Sequence, residues 1–270
     1  MRALAPVGAK PVPHPTVRDA IMAVREGAAE RAVVPIENSL EGSVAATLDT
    51  LAVDAPEVRI FAERTLAIRQ SLIAGRPLDL AAIERVVSHP QALAQCARFL
   101  RERLPGAEQA GAASTAEGVR QVAAGSAPWA AIGSRLAAEE YGATVLMEGV
   151  DDRSDNVTRF VALARAEGAD EAPAGAGPAK TSIVFFGFND VSPGALVAVL
   201  QELSSREINL TKIESRPRRV GLGHYMFFAD LEGAEGDPHV AEALAALAGR
   251  VETLHVLGSY PSAAGDVPPR

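Results

Sequence analysis

Short strand-like runs alternate three times with stretches of helical periodicity across residues 84–142. The runs are ERVVS, AEQAG and WAAIG, and the helical patterns after them are PQALAQCARFLRERL, a helix opened by the capping box Ser114-x-x-Glu117, and SRLAAEEYG. Strands joined through helices lie parallel in one sheet, because the helix carries the chain back to the starting edge. This region therefore predicts an open α/β lobe with parallel strands.

A segment without periodicity, EGADEAPAGAGPA at residues 167–179, predicts a flexible linker. After it, the order strand, helix, strand, strand, helix, strand predicts a βαββαβ ferredoxin-like domain. With 270 residues the chain exceeds what one hydrophobic core usually holds, so two domains are expected. The predicted ranges are 1–166 for the first domain (one lobe of about 1–72 plus 155–166, another of about 73–154), 167–179 for the linker, 180–262 for the second domain and 263–270 for a frayed tail.

Composition and charge narrow the class of protein. Hydrophobic residues at 48% and charged residues at 22% are typical of a folded globular chain. The net charge of −8 argues against a sequence-independent nucleic-acid binder, which needs clustered cations. The single cysteine, Cys96, excludes an internal disulfide, and no Cys/His cluster has metal-ligand spacing. The single cysteine fits a reducing, cytoplasmic setting, and since no apolar run approaches the roughly 18–20 residues of a membrane span, we expect a protein that binds no membrane.

The run VVPIENSLEGSV places Glu37, Asn38 and Ser39 just after a short apolar stretch, which we interpret as a buried parallel strand. Open α/β sheets bind ligands at the carboxyl ends of their strands, and Gly42 permits a close backbone approach. A capped turn explains the same residues without any ligand, because Asn and Ser favour turns. Spacing alone does not decide between the two.

Two further runs carry polar groups. In SHPQALAQ, Ser88 ends a strand, Pro90 suits a first helical turn, and Gln91 and Gln95 share one helix face. A polar helix face with Ser88 as its cap and His89 in a structural role is the simpler explanation of that run. In SDNVTRF, a hydroxyl and a guanidinium are neighbours on a strand, so they face opposite sides of the sheet unless a bulge intervenes.

Together and in this order, the three runs resemble the prephenate dehydratase family, whose catalytic domain carries a PIENS-type turn, an SHPQALxQC helix start and a TRF strand. The resemblance extends from about Val12 to Tyr260 and includes a C-terminal ACT regulatory domain. It implies a two-lobed, periplasmic-binding-protein-like catalytic domain of α/β class followed by the βαββαβ ACT domain. The implied reaction is the decarboxylating dehydration of prephenate to phenylpyruvate in phenylalanine biosynthesis, a lyase reaction without a cofactor or metal.

The family pattern also implies roles for individual residues. Thr158 would donate to the leaving hydroxyl, Arg159 would clamp a substrate carboxylate, and Glu37 would orient the network. The implied catalytic residues are Thr158, Ser88, Glu37, Asn38 and Gln95. The implied substrate-binding residues are Ser39, His89, Gln91, Arg159 and Phe160.

The segments GALVAVL (194–200) and INLTKIESRP (208–217) look like the family's phenylalanine-binding segments. We expect phenylalanine to bind between paired ACT domains, its carboxylate near helix N-terminal amides, which implies a homodimer or homotetramer. The effector residues expected on this basis are Gly194, Ala195, Leu196, Asn209, Leu210, Glu214, Ser215, Arg216 and Pro217.

The chain departs from the family pattern at its start, because the first strand and its Gly-Pro-x-Gly-Thr-Phe/Tyr turn are not present. A misplaced start codon is one explanation, and a variant with an incomplete first lobe is the other. Two functional alternatives stay open. One is arogenate as the substrate, and the other is a ligand-binding or regulatory protein of low activity.

Overall fold

The computed structural model describes Leu4 and residues 8–168, 178–188 and 192–263. Most of the predicted linker, and the predicted tail beyond residue 263, lie outside these ranges. The helices are α1 (Val17–Arg25), α2 (Ala45–Asp49), α3 (Pro90–Gln95), α4 (Ala97–Arg103), α5 (Thr115–Ala124), α6 (Arg135–Tyr141), α7 (Ala195–Ser204) and α8 (Pro238–Ala248). The strands are β1 (Arg31–Asn38), β2 (Gly42–Ser43), β3 (Val58–Ala67), β4 (Ser71–Ala74), β5 (Arg85–Ser88), β6 (Glu108–Gly111), β7 (Trp129–Gly133), β8 (Thr144–Glu148), β9 (Val157–Arg165), β10 (Ala179–Phe186), β11 (Leu210–Pro217), β12 (Tyr225–Glu232) and β13 (Thr253–Pro261).

The described residues form two compact units. The first unit combines the chain up to Leu66 with the chain from Thr158 onward, and the second unit is Ala67–Val157. Within the described ranges, the first unit holds two four-stranded sheets and the second holds one five-stranded sheet. The helices of these ranges are all too short or too polar to cross a bilayer.

One sheet of the first unit, called here the N-terminal sheet, has the strand order β2-β1-β9-β3. Helix α1 packs against it and follows its sequence signals: Thr16 Oγ1 accepts the Asp19 N–H at 3.1 Å, and Gly27 (φ +76°) follows the last turn. Strand β1 pairs antiparallel with both β2 and β9, so the prediction that the ENS residues end a parallel strand is wrong. Its partner β9 lies about 120 residues further along the chain, where local sequence patterns carry no information about strand direction.

The other sheet of the first unit confirms the predicted βαββαβ order, and β10–β13 with α7 and α8 are called here the βαββαβ domain. Its strand order is β11-β12-β10-β13, with all three pairings antiparallel. Helices α7 and α8 cover one face through a cluster that includes Phe185, Leu203 and Leu247. The opposite face joins the N-terminal sheet and helices α1 and α2 in a shared hydrophobic core. That core includes Ile21, Val34, Leu48, Val161, Val184, Met226, Phe228, Leu257 and Tyr260.

The second unit has a mixed sheet in the order β6-β5-β7-β4-β8. Strand β5 is parallel to β6 and β7, as the strand–helix alternation predicts, and Gly118 lets α5 lie close against the backbone of β5. Strand β4 is antiparallel to β7 and β8, so the expectation of a parallel sheet is correct for three strands only. No helix precedes β4 within this unit, and β8 follows α6 in a segment for which we predicted no strand.

Candidate active site

Two cross-strand pairs at the end of β1 hold four of the predicted site residues. Asn38 lies opposite Thr158, and Glu37 lies opposite Arg159. The register shifts between Pro35 and Glu37, so the bulge is on β1, while β9 continues regularly through both pairs. Because side chains alternate along a regular strand, the Thr158 hydroxyl and the Arg159 guanidinium lie on opposite faces of the sheet.

The Asn38 side chain connects the turn after β1 to Thr158. Its Oδ1 accepts the backbone N–H groups of Leu40 at 2.9 Å and of Glu41 at 3.2 Å. Its Nδ2 donates to Thr158 Oγ1 at 2.8 Å. An amide nitrogen can only donate, so Thr158 Oγ1 accepts this bond and its own hydrogen is directed away from Asn38 Nδ2. A hydroxyl that accepts one hydrogen bond becomes a stronger donor of the next.

The capped-turn explanation of the ENS run is therefore confirmed for Asn38, which also holds a second polar side chain, while the ligand explanation stays a prediction. Gly42 has φ +80°, a conformation that glycine adopts without steric strain, and it allows the chain to turn back as β2. Ser39 lies exposed in the turn between β1 and β2. Phe160 is half-buried opposite Pro35 and, by alternation, shares the face of Thr158.

The Arg159 guanidinium lies among three carboxylates and one phenol and is 11% exposed. Nη1 donates to Glu37 Oε2 at 3.1 Å and to Asp230 Oδ2 at 2.7 Å, and Nη2 donates to the Tyr260 hydroxyl at 3.2 Å. Nε lies 2.8 Å from Glu63 Oε2, an ion pair whose N–H is not aligned for a hydrogen bond. These contacts hold the guanidinium against protein groups on the face away from the Thr158 hydroxyl.

The surroundings of Arg159 fix its charge. Burial by itself lowers the pKa of Arg159, but Tyr260, Asp230 and Glu63 outweigh burial and raise that pKa above its ordinary value. Burial also raises the pKa of the Tyr260 phenol, and Asp230 raises it further, so the phenol stays protonated. A charged guanidinium enclosed in this way favours a positioning role for Arg159 over the predicted clamp on a substrate carboxylate.

Two predicted site residues lie between the end of β5 and the start of α3 in the second unit. Ser88 is fully buried, and its Oγ donates to the Ile132 carbonyl of the neighbouring strand at 2.6 Å. His89, not Ser88, caps α3, because His89 Nδ1 accepts the Gln91 N–H at 3.3 Å. The interpretation of Ser88 as a helix cap is therefore wrong, and Ser88 instead ties β5 to β7.

Helix α3 ends at Gln95, whose Oε1 accepts a 3.4 Å hydrogen bond from Asn156 Nδ2 in the same unit. Asn156 is only 3% exposed, and we did not single it out, although it stands in the SDNVTRF run. Gln91 is exposed on the first turn of α3. A buried amide that bonds a predicted site residue is a further candidate for the site.

A cavity of about 390 Å³ lies in the βαββαβ domain at the start of α7. Its lining residues are Phe188, Ser192, Gly194, Ala195, Leu196, Val197, Gly223, Tyr225 and Phe227. Gly194 has φ +82° and precedes the first turn of α7, so backbone amides of that turn border an apolar cavity. Three of the nine expected effector residues therefore line the cavity. The other six, Asn209, Leu210, Glu214, Ser215, Arg216 and Pro217, lie just before and along β11, the edge strand.

Comparison with known proteins finds a family model for each part of the chain. Residues 1–168 match the family model described as prephenate dehydratase, and residues 182–249 match the ACT domain model. A prephenate dehydratase of Mycobacterium sp. (strain JLS) is 48% identical over 261 residues, which cover 96% of this chain and 80% of the relative.

Two solved structures are similar over nearly the whole chain. The prephenate dehydratase of Arthrobacter aurescens in complex with L-Phe is 39% identical with a TM-score of 0.83, covering 96% of this chain and 83% of the other. GqqA, described as a novel type of quorum quenching acylase, is 30% identical with a TM-score of 0.81, covering 95% and 91%.

Proposed function

The chain belongs to the prephenate dehydratase family, and from that premise we propose that it converts prephenate into phenylpyruvate with Thr158 as the donor to the leaving oxygen. The observation that carries this proposal is the 2.8 Å hydrogen bond from Asn38 Nδ2 to Thr158 Oγ1. It occupies the acceptor side of the hydroxyl and directs the Thr158 hydrogen away from Asn38. The Thr158 hydroxyl is thereby prepared to donate to a substrate.

The reaction breaks the bond between the ring and its carboxylate, and carbon dioxide leaves. The electron pair of that bond moves into the ring and expels the ring hydroxyl, which takes up a proton and leaves as water. Aromatisation supplies the driving force, so the protein has to orient the dianion and stabilise the departing oxygen. A threonine hydroxyl is a weak acid, so Thr158 acts through a hydrogen bond that strengthens as negative charge develops.

The test is direct. The purified chain is mixed with prephenate and the absorbance of phenylpyruvate is followed, for the unaltered chain and for Thr158→Ala and Thr158→Ser. We expect Thr158→Ala to lower kcat by about 10²–10³-fold with little change in KM, as removal of one preorganised donor does. Thr158→Ser, which keeps the hydroxyl, is the matched control. Absence of product from the unaltered chain would favour the alternative of a ligand-binding protein, and full activity of Thr158→Ala would overturn the role of this residue.

Substrate choice is settled by the same assay with arogenate in place of prephenate. Arogenate differs by an amine where prephenate has a keto group, so its dehydration produces phenylalanine directly. We propose prephenate as the substrate because the relatives are described as prephenate dehydratases. A higher kcat/KM with arogenate would reverse that choice.

The structural similarity to a quorum quenching acylase raises a second candidate, acyl transfer. Ser88 and Cys96 carry nucleophile-type side chains near the motifs, and neither supports acyl transfer. Ser88 Oγ is fully buried and donates to a backbone carbonyl, and burial with Asp151 and Asp152 raises the pKa of the Cys96 thiol to about 12. Dehydration therefore remains the better supported activity.

We further propose that phenylalanine inhibits the enzyme from the cavity at the start of α7, since a similar structure is described as a complex with L-Phe. Phe188, Tyr225 and Phe227 offer an apolar lining, and the open amides of α7 suit a carboxylate. Binding of L-phenylalanine is measured by calorimetry and by its effect on turnover. Failure to bind would remove the effector role while leaving the catalytic proposal intact.

The other six expected effector residues lie before and along β11. In a homodimer that pairs two copies through this edge strand, these residues of one copy reach the cavity of the other copy. Ile213 on β11 is 47% exposed, and Val197 and Tyr225 beside the cavity are 65% and 46% exposed. An unpaired edge with apolar side chains is a template for a second strand. Ile213→Lys should give a monomer in sedimentation and weaken phenylalanine binding.

A cytoplasmic location stays a prediction.

A further inference from the structure

Asp230 is a buried charge in the βαββαβ domain that the proposed reaction does not use directly. It lies on β12 within an apolar run and is 5% exposed. A carboxylate at such a position is stable only when it is fully paired. Its two oxygens divide between two partners, because Oδ1 accepts from Ser182 Oγ at 2.6 Å and Oδ2 accepts from Arg159 Nη1 at 2.7 Å.

The partners of Asp230 close a ring of hydrogen bonds. Ser182 Oγ and the Tyr260 hydroxyl are 2.6 Å apart, and the single hydrogen of Ser182 already goes to Asp230. Tyr260 must therefore donate to Ser182, while its oxygen accepts from Arg159 Nη2 at 3.2 Å. The donor order runs from Arg159 to Tyr260, to Ser182 and to Asp230, which in turn accepts from Arg159.

The ring is part of a larger network of ion pairs. Arg159 also pairs with Glu37 and Glu63, Lys180 Nζ lies 2.8 Å from Glu63 Oε1, and Lys212 Nζ lies 3.3 Å from Glu37 Oε2. With Asp230, the groups named so far are three cations and three carboxylates, and Lys212 Nζ also lies 3.8 Å from Glu214 Oε2. Each charge has an opposite partner, so the position of the Arg159 guanidinium is determined from several sides.

The two cross-strand pairs at the end of β1 connect the Arg159 ion pairs to Asn38 and Thr158. Arg159 precedes Phe160 and follows Thr158 directly, and Glu37 precedes Asn38 directly. Fixing Glu37 against Arg159 therefore fixes the backbone from which Asn38 Nδ2 reaches Thr158 Oγ1. A shift of about 1 Å would break a hydrogen bond of this kind, and misplacements of that size cost about 10²-fold in rate.

We propose that Asp230 is a positioning residue for the dehydration reaction, acting through Arg159 on the Asn38–Thr158 pair. The βαββαβ domain then contributes to turnover itself, in addition to binding an effector. This inference rests on the proposed function, because it assumes that Thr158 serves the reaction.

The experiment compares kcat and KM for prephenate in the full chain and in Asp230→Asn, which keeps the shape of the side chain and removes its charge. We expect kcat to fall by about 10- to 100-fold with KM within about threefold. Glu202→Gln is the matched control, since the ion pairs of Glu202 within the described residues are with Arg206 and Arg250 of the same domain, and it should keep the unaltered kcat.

Measuring Asp230→Asn in the Thr158→Ala variant distinguishes a positioning role of Asp230 from a purely structural role. In Thr158→Ala, which lacks the group that Asp230 positions, Asp230→Asn should cause no further loss of kcat, because residues that act as a unit are not additive. Equal losses in both backgrounds would overturn the proposal. So would an unchanged kcat in Asp230→Asn.

If Asp230→Asn fails to fold, Tyr260→Phe decides, because it removes one hydroxyl of the ring without changing a charge. We expect it to lower kcat by about 3- to 10-fold in the unaltered background only, and an unchanged kcat overturns the proposal. An unaltered chain without dehydratase activity would contradict the proposed function instead, which keeps the two failures distinct.

Discussion

The two ends of the Asn38 side chain have different tasks, and one substitution separates them. Asn38→Asp keeps an oxygen that accepts from Leu40 and Glu41, but it cannot donate to Thr158 Oγ1. The Thr158 hydroxyl would then donate to the new carboxylate instead of to the substrate. We expect kcat to fall by about 10²-fold with the thermal midpoint nearly unchanged. A kcat within threefold of the unaltered value would contradict this account of Asn38.

Cys96 predicts a pH dependence that has no part in catalysis. Burial first, then Asp151 and Asp152, raise the pKa of its thiol from 9.0 to about 12. The unfolded chain therefore loses this proton at lower pH than the folded chain, and the free energy of unfolding should decrease as pH rises from about 9 towards 12. Urea unfolding of the unaltered chain and of Cys96→Ala checks this. Loss of stability over that range should be smaller in the variant.

The close contact between β13 and β3 gives a prediction about stability. A Cβ at Gly258 would overlap the carbonyl oxygen of Ile60, a backbone atom that cannot move away alone. Gly258→Ala should therefore destabilise the chain by about 1–3 kcal/mol, seen as a lower thermal midpoint. Gly236→Ala in the same domain is the matched control, because its Cβ would meet open space. Equal midpoints for the two variants would show that these strands separate without cost.

Strand β11 also contacts the N-terminal part of the chain through Arg216. Its guanidinium binds Asp49 at the end of α2 in a bidentate pair at 2.6 and 3.0 Å. If phenylalanine acts through β11, Asp49→Asn should raise the concentration needed for half-inhibition several-fold. Asp54→Asn, which breaks an exposed pair with Arg18 instead, is the control. Identical inhibition curves for the two variants would exclude this route.

The sequence predicts elements with local signals better than it predicts their arrangement. Ser114 caps α5 as expected, because a cap depends on the nearest few residues. The antiparallel direction of β1 and its bulge depend on β9, which no local pattern reveals. The sequence did not single out Asp230, because the apolar residues around it predict an ordinary core strand. The signal was present, since one acid within YMFFADL has to find a partner when it is buried.

At the scale of the whole molecule, the shared hydrophobic core couples the βαββαβ domain to the N-terminal sheet. Phe228 on β12 is 3% exposed within this core, together with Ile21 on α1. Phe228→Ala should cost about 3–5 kcal/mol, and hydrogen exchange should speed up in α1 as well as in β12. Unchanged protection of α1 would mean that the domain unfolds independently of the N-terminal sheet.

The ring through Arg159 also has a consequence for the timing of biosynthesis. Asp230 is encoded 71 residues after Arg159, and Tyr260 is encoded 101 residues after it. At about 5–20 residues per second, a ribosome needs roughly 4–14 s to add the first of these partners once Arg159 has been made. Until Asp230 has been made, Arg159 can pair only with Glu37 and Glu63 among its carboxylate partners. The nascent chain can therefore form its β1–β9 pairing early, whereas the ring that positions Arg159 on β9 closes only after Tyr260 has been added.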